Sequence, residues 1–549
     1  MNRRYLIFLI LIVTLAGFLR FYQIGDVPFG LYPDEAMNGN NALFALQEQN
    51  LKIFYPENNG REGLFINLIA LSIKFFGNNP FAIRFVSSLV GLLTVIGIYF
   101  LTRELFKNTR YENQAEFIAL LSAFFLATSF WHLNFSRIGF RAIMAPFFLT
   151  WAFYFFLFIF RENIAPAKKI LAIALGGISF GLGFHTYLGY RFAPLLLFVP
   201  AYFIRKLNQD AKYKIQDTKN CLWCLFFLFI FFIFIAGLPI GLYFLENLHD
   251  FLGRAGQVSI FSMENPLKEL AESAGKTIQM FWWQGDGNWR HNYAGEPELW
   301  WPIGMIFALG LVFAGKNLFK NRDIFAQKEK FVFSLLFSWL ILFLLPSILS
   351  SEGLPHALRS IVVLPAVMIF AAFGAANIVN SALNFVESNQ GPNRLKKEIW
   401  ILVFVFLGAT SIHVFNQYFV RYANQPEVYY AFNGNYLEIG NWLKTLPNDI
   451  SKYVIINAGG AMIKTPDSSE SFPMPAQTAM FATNTWSKTE QNKKNIIYLE
   501  EKDLNKISCE NKCIIAMLEI NPILRNKIKD KIPELSLTIE PGFPVLYVK

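Results

Sequence analysis

The sequence predicts a polytopic α-helical membrane protein of about eleven spans, followed by a small α/β domain outside the membrane. Three observations predict it. The 549 residues are 54% hydrophobic and only 16% charged, with 60 Phe among them, far more apolar surface than a soluble domain has interior to hide. Several apolar runs approach the ~20 residues that cross a ~30 Å hydrocarbon core. From about Arg421 the spans stop and polar residues return, over a stretch long enough for a small domain.

The first run, Tyr5 to Tyr22, follows Arg3-Arg4 and precedes no small-x-small cleavage site, so it reads as an uncleaved anchor with the N-terminus inside. Further spans are expected at about 80–102, 117–135, 142–160, 170–187, 190–204, 222–245, 299–315, 331–350, 359–380 and 399–418. The apolar stretch 64–76 is left out. As a helix it reaches roughly 20 Å, too short to cross. Asn67 and Lys74 give it a polar stripe, which suits a helix lying in the interface.

The formal net charge of +10 supports this topology. Basic residues gather in alternate loops: Arg3 and Arg4; Arg103, Lys107 and Arg110; Arg161, Lys168 and Lys169; Arg205, Lys206, Lys212, Lys214 and Lys219; Lys316, Lys320, Arg322, Lys328 and Lys330; Arg394, Lys396 and Lys397. Positive loops stay in the cytoplasm. The N-terminus is therefore expected inside and the C-terminal domain outside. Counting 64–76 as a span would reverse every later loop. A basic chain of this kind is not a nucleic-acid binder, which would present a basic face on its own fold.

Residues 1–420 form the expected membrane domain and 421–549 the outside domain. In the latter, 435–446 reads as an amphipathic helix, and 453–457, 496–499, 513–518 and 545–548 read as strands. The long loop 246–298 also faces outside. Cys221 and Cys224, at the cytoplasmic end of a span, read as apolar packing. The spacing of Cys509 and Cys513 permits a disulfide without proving one.

The chemistry is expected around Asp34-Glu35, in Tyr32-Pro33-Asp34-Glu35-Ala36, on the far side of the first anchor. Two adjacent carboxylates there can activate a hydroxyl or hold a cation, and in a chain short of charge they mark a site. A second reading of Asp34 stays open, as the N-cap of a helix starting near Glu35. The first outside loop, 23–79, also holds Arg61.

The motif resembles the first-loop acidic motif of the GT-C glycosyltransferases, polytopic enzymes that use polyprenyl-phosphate sugars. The likeness is to the branch containing protein O-mannosyltransferases and the aminoarabinose transferases that modify lipid A. It continues through Arg61-Glu62-Gly63-Leu64-Phe65, Phe76-Gly77-Asn78-Asn79, Phe81-Ala82-Ile83-Arg84-Phe85 and on to 135–148. It covers about the first 200 residues, and the general layout covers the whole chain. The resemblance implies a membrane glycosyltransferase that moves a sugar from a polyprenyl-phosphate donor to a lipid, glycan or protein acceptor at the outer face. Asp34 would take the acceptor's proton as general base, with Glu35 orienting it or touching the sugar. Arg61 aligns with a basic, phosphate-contacting position of the aminoarabinose-transferase branch.

The leaving phosphate gains charge and needs fixed cations, for which Arg offers a bidentate fork. Arg137, Arg141, Tyr187, Arg191, His356 and Arg359 lie at outside ends of spans and are candidates to hold it; snorkelling to the interface is the alternative for each arginine. Trp282–Asn292 mixes indoles with polar groups, making Asp286, Arg290 and His291 candidates for sugar or acceptor contact, against an interfacial aromatic belt. Two departures from the family pattern matter. Ala145 stands where some members carry a second acid, and Arg61-Glu62-Gly63 replaces a His-Pro-Pro type motif. The first departure leaves few oxygen ligands for a hard cation, so the expected transfer is inverting and needs no metal or other cofactor. The second weighs against a protein O-mannosyltransferase. A transporter or flippase for lipid-linked sugars, or a non-catalytic polyprenyl-lipid-binding protein, is the alternative to an enzyme. Polar groups crowded at the outer ends, rather than mid-bilayer, favour the enzyme.

Overall fold

Backbone amides in hydrocarbon must bond within their own segment, so the apolar runs become helices. The computed structural model describes residues 3–161, 164–209, 221–257, 259–319, 324–509, 512–539 and 542–548. Lys212, Lys214, Lys219, Lys320 and Arg322, counted above among the basic loops, lie outside the described residues. The chain divides into two compact units: residues 1–22, 87–137 and 141–422, and residues 23–86, 138–140 and 423–549.

The first unit is helical. Among the described residues, eight helices are long and apolar enough to cross a membrane, and a bent pair makes a ninth. They include α1 (Arg3–Phe21) and α4 (Pro80–Phe106). The expected span at 117–135 is the bent pair, Glu112–Ala127 and Phe130–Arg137, broken by 57°. The expected span at 170–187 falls on the helix Pro166–Gly183. That at 190–204 is divided between a 3₁₀ turn, Leu188–Phe192, and two short helices, Ala193–Leu196 and Phe198–Gln209. Pro194 lies in the first turn of the second piece, where its missing N–H costs no helical bond. The core of this unit lies along Ala357–Ser388, whose apolar stretch is almost wholly buried.

The second unit joins the loop after α1 to the C-terminal chain, which a boundary at 420 would separate. From the first loop come α2 (Pro33–Gln47), the hairpin of β1 (Phe54–Tyr55) and β2 (Arg61–Glu62), and α3 (Gly63–Phe76). At 14 residues α3 is a short apolar helix, about 21 Å long. The C-terminal chain builds a five-stranded sheet, with β3 (Ser451–Ile456) central between β6 (Ile496–Glu500) and β7 (Cys513–Met517), all parallel. β9 (Val545–Val548) and β8 (Ser536–Thr538) extend it antiparallel. Alternate residues face opposite ways. Val454, Ile456 and Ala516 pack under Tyr436, Ile439 and Leu443 of the helix Gly434–Thr445. Tyr453, Ile455 and Met517 pack on Leu524 and Ile528 of the helix Pro522–Lys531. A hairpin, β4 (Met462–Lys464) with β5 (Ser471–Pro473), precedes the buried helix Ala476–Thr483.

That last helix ties the two parts of the unit together. Asn40 Nδ2 donates to the carbonyl and the side-chain oxygen of Gln477, at 3.0 and 2.9 Å, and the Thr478 hydroxyl donates to the Leu31 carbonyl at 2.9 Å. Gly39 permits the approach, since a Cβ there would stand 2.7 Å from Phe481 Cδ2. Cys509 and Cys513 are bonded at the start of β7. Cys221 and Cys224 are bonded as well, rather than serving only as packing.

Candidate functional site

Pro33 opens α2 at a position where its missing N–H is harmless. Asp34 therefore sits inside the first turn and is not the N-cap; that position belongs to Tyr32. A carboxylate in the first turn is favoured by the helix dipole. Asp34 is half-buried, and its Oδ1 accepts a hydrogen bond from Asn58 Nδ2 at 2.7 Å. Asn58 belongs to the turn between β1 and β2, where its φ of 54° is one that Asn tolerates.

Glu35 has a different setting one residue on. It is fully buried. Its Oε2 accepts from the Tyr32 N–H at 3.2 Å, and its Oε1 accepts from the Gly139 N–H at 2.6 Å and from Arg84 Nε at 3.2 Å. Arg84, also fully buried, donates to the carbonyls of Ile24, Pro28 and Gly30 at 3.3, 2.8 and 2.7 Å. Glu35 is thus a keystone of the loop, while Asp34 stays partly exposed. A Cβ on Gly139 would stand 2.6 Å from Ile83 and 3.2 Å from Glu35 Cγ, so only glycine lets the carboxylate reach this amide.

Arg61 is buried as well. Its Nη1 donates to Asn38 Oδ1 at 2.8 Å and its Nη2 to Asn41 Oδ1 at 2.6 Å, with Glu57 at 3.9 Å. Asn38 Nδ2 in turn donates to the Gly139 carbonyl at 3.1 Å. Next to Asn41 lies a cavity of about 300 Å³ between α2 and the C-terminal chain, lined by Asn40, Phe44, Lys52, Lys464, Gln477 and Trp486 among others. Sequence reasoning gave no role to Arg84, Asn38, Asn58, Gly139 or Trp486. Arg84 alone carried a signal: an arginine inside an apolar run is costly unless paired.

The first unit holds the other candidates. Asp286, His291 and His356 come together. Asp286 Oδ2 is 2.9 Å from His291 Nδ1 and 3.7 Å from His356 Nδ1, and the two imidazoles stack with centroids 4.9 Å apart. Arg290 donates from Nε to Asn288 Oδ1 at 3.0 Å, and its carbonyl accepts from Asn134 at 2.8 Å. Glu298 is buried behind Asp286 and accepts that residue's backbone N–H at 2.9 Å. Burial, then the neighbouring Asp286 carboxylate, push the Glu298 carboxyl well above the usual range.

The arginines of this unit are held by different groups. Arg137 is fully buried and donates to the carbonyls of Leu19, Arg20 and Tyr22 at 2.8, 3.0 and 2.7 Å, covering the C-terminal end of α1. Its guanidinium faces the rings of Tyr418 and Phe419. Arg191 is half-buried, donates to the Phe251 carbonyl at 2.7 Å and lies over the Phe251 ring. Arg359 is half-buried and donates to the Ser350 hydroxyl and, at 2.8 Å, to the Glu352 carbonyl. Arg141 opens a 3₁₀ turn and is half-buried, and Tyr187, also half-buried, precedes the turn Leu188–Phe192.

Residues 64–236 match the family described as dolichyl-phosphate-mannose-protein mannosyltransferase. No curated protein matches the chain. Among solved structures, ArnT from Cupriavidus metallidurans bound to undecaprenyl phosphate gives a TM-score of 0.57 at 12% identity, over 98% of this chain and 97% of that one. The apo state of the same protein gives 0.55 at 13% identity over the same shares. AglB, an oligosaccharyltransferase from Archaeoglobus fulgidus in complex with an inhibitory peptide and a dolichol-phosphate, gives 0.52 at 12% identity, over 93% of this chain and 69% of that one. At such identities the likeness is one of fold. The chain is a polytopic membrane protein that shares the fold of ArnT and AglB, and its residues 64–236 match the mannosyltransferase family.

Proposed function

We propose that this protein transfers a sugar from a polyprenyl-phosphate donor to an acceptor at the outer face of the membrane, with Asp34 as general base. One observation carries the reading: of two adjacent carboxylates, Glu35 is wholly committed inside the loop, while Asp34 is half-exposed and held by Asn58. In the step, an acceptor oxygen attacks the anomeric carbon. Its proton passes to Asp34, the bond from the anomeric carbon to the phosphate oxygen breaks, and polyprenyl phosphate leaves with the electron pair. A base within hydrogen-bond reach lowers the barrier by removing charge from the attacking oxygen. Glu35 is a positioning residue in this scheme.

Among the arginines singled out for the phosphate, Arg61 and Arg137 are wholly buried, and Arg141, Arg191 and Arg359 are half-buried. The cavity lined by Asn41 and Trp486 takes the acceptor. Its indole and phenyl rings suit an apolar or sugar face, and its amides and lysines suit hydroxyl or carbonyl groups.

Transfer from a panel of radiolabelled polyprenyl-phosphate sugars tests the reading. Wild type should turn over at least one donor, and Asp34→Asn should lose at least about 100-fold, the low end for a general base. Equal transfer by both proteins removes Asp34 as base. No turnover with any donor shifts the weight to a lipid-linked-sugar transporter or a non-catalytic lipid-binding protein. The chemistry at Asp34 is proposed to need no hard divalent cation, because the second outside loop brings Gly139 rather than an acid beside the motif. Transfer should persist without magnesium or manganese, and a requirement for either overturns this part.

A further inference from the structure

We infer that Asp286, His291 and His356 form a binding site for a transition-metal cation, with a donor set best suited to zinc. The three residues come from two separate stretches, Gly285–Asn292 and Pro355–Arg359, which meet in the first unit. One ligand atom from each lies within 4.8 Å of the other two. In a tetrahedral site with metal–ligand bonds of about 2.0–2.1 Å, ligand atoms stand about 3.3 Å apart. The separations of 2.9 Å from Asp286 Oδ2 to His291 Nδ1, and 3.7 Å to His356 Nδ1, bracket that value. Two imidazoles and one carboxylate are the ligands of a borderline cation such as Zn²⁺, rather than of Mg²⁺ or Ca²⁺, which take oxygen.

The carboxylate is also held as a ligand needs to be. Asp286 Oδ1 accepts the Asn288 N–H at 2.8 Å, and Oδ2 accepts the Ala357 N–H at 2.9 Å. Its own N–H is bound by Glu298. Such outer contacts fix a ligand's orientation. Each carboxylate oxygen has a second lone pair left for a metal. Three protein ligands leave a fourth position, and His356, the least buried of the three, marks the side on which it opens. The ion would staple residues 286–291 to the start of the helix Ala357–Ser360. The competing arrangement is a plain hydrogen bond from His291 Nδ1–H to Asp286, which excludes a metal at the same nitrogen. The inference does not depend on sugar transfer.

The full chain, purified in detergent without a histidine tag and stripped by chelator, is titrated with Co²⁺ and then Zn²⁺. The expected result is one Co²⁺ per chain, with the visible absorption of tetrahedral cobalt that zinc bleaches. Zinc should raise the melting temperature of wild type. His356→Gln, a change at the more open ligand, and Asp286→Asn should each weaken zinc binding by about tenfold or more and lose the melting shift. Wild type that takes up no cobalt at micromolar metal overturns the site. So does binding as tight in both variants as in wild type, which places the ion elsewhere.

Discussion

Glu35 and Arg84 form an ion pair in which neither side chain has any solvent exposure, with Arg84 Nε 3.2 Å from Glu35 Oε1. Arg84 also gathers three loop carbonyls, so one guanidinium closes residues 24–30 onto the start of α2. Removing one partner of such a pair leaves a buried charge and costs about 3–5 kcal/mol. Arg84→Met should therefore lower the unfolding temperature sharply in detergent. Glu35→Leu combined with Arg84→Met should recover part of the loss, because no unpaired charge remains. A double variant less stable than Arg84→Met alone would show that the pair is not the main contribution.

The cavity beside α2 makes a separate prediction. Trp486 and Lys52 line it, while Asp34 does not. If the acceptor binds there, Trp486→Ala and Lys52→Ala should raise the acceptor KM several-fold and leave the donor KM and kcat nearly unchanged, the pattern of lost uniform binding. Asp34→Asn should do the reverse and lower kcat. An unchanged acceptor KM in both cavity variants would move the acceptor elsewhere.

Much of this arrangement was legible in the sequence, and the parts that were not share a physical cause. The central strands were readable because their apolar residues alternate or run unbroken: the expected 453–457 and 513–518 lie on β3 and β7. β8 was not, since only three residues, none of them buried, form it against β9. The acidic motif stood out through scarcity of charge. Its division of labour did not, because Glu35 is buried by partners at Arg84 and Gly139, 49 and 104 residues away. Arg137 had the position of a phosphate ligand in the sequence, but the C-terminal carbonyls of α1 take its guanidinium. The encounter of Asp286 with His356 depends on tertiary packing that no local pattern encodes.

The basic loops predict a membrane orientation that is open to direct measurement. Lys74, near the end of α3, and Lys107, just past α4, are both exposed. With the N-terminus inside, a cysteine at position 74 should react with a membrane-impermeant maleimide added to intact cells, and one at position 107 should react only after lysis. The opposite pattern would place α3 across the membrane and invert the chain.

The C-terminal sheet carries a buried phenol that links its stability to alkaline pH. Tyr498 on β6 is 2% exposed, with its hydroxyl 2.8 Å from Thr485 Oγ1 and 3.1 Å from Thr483 Oγ1. Burial pushes it up to about 12, against the opposing pull of the two threonine hydroxyls. An unfolded tyrosine ionises near pH 10. Between pH 10 and 12 the folded protein keeps a proton that the unfolded chain releases, so stability falls as pH rises, by up to about 1.4 kcal/mol per pH unit. Below pH 10 this contribution is fully present. Tyr498→Phe should be less stable at neutral pH, having lost the threonine hydrogen bonds, but its stability should decline less steeply from pH 10 to 11. Thermal unfolding of both proteins at pH 8, 10 and 11 measures the difference, and parallel declines would mean that Tyr498 does not titrate as its burial requires.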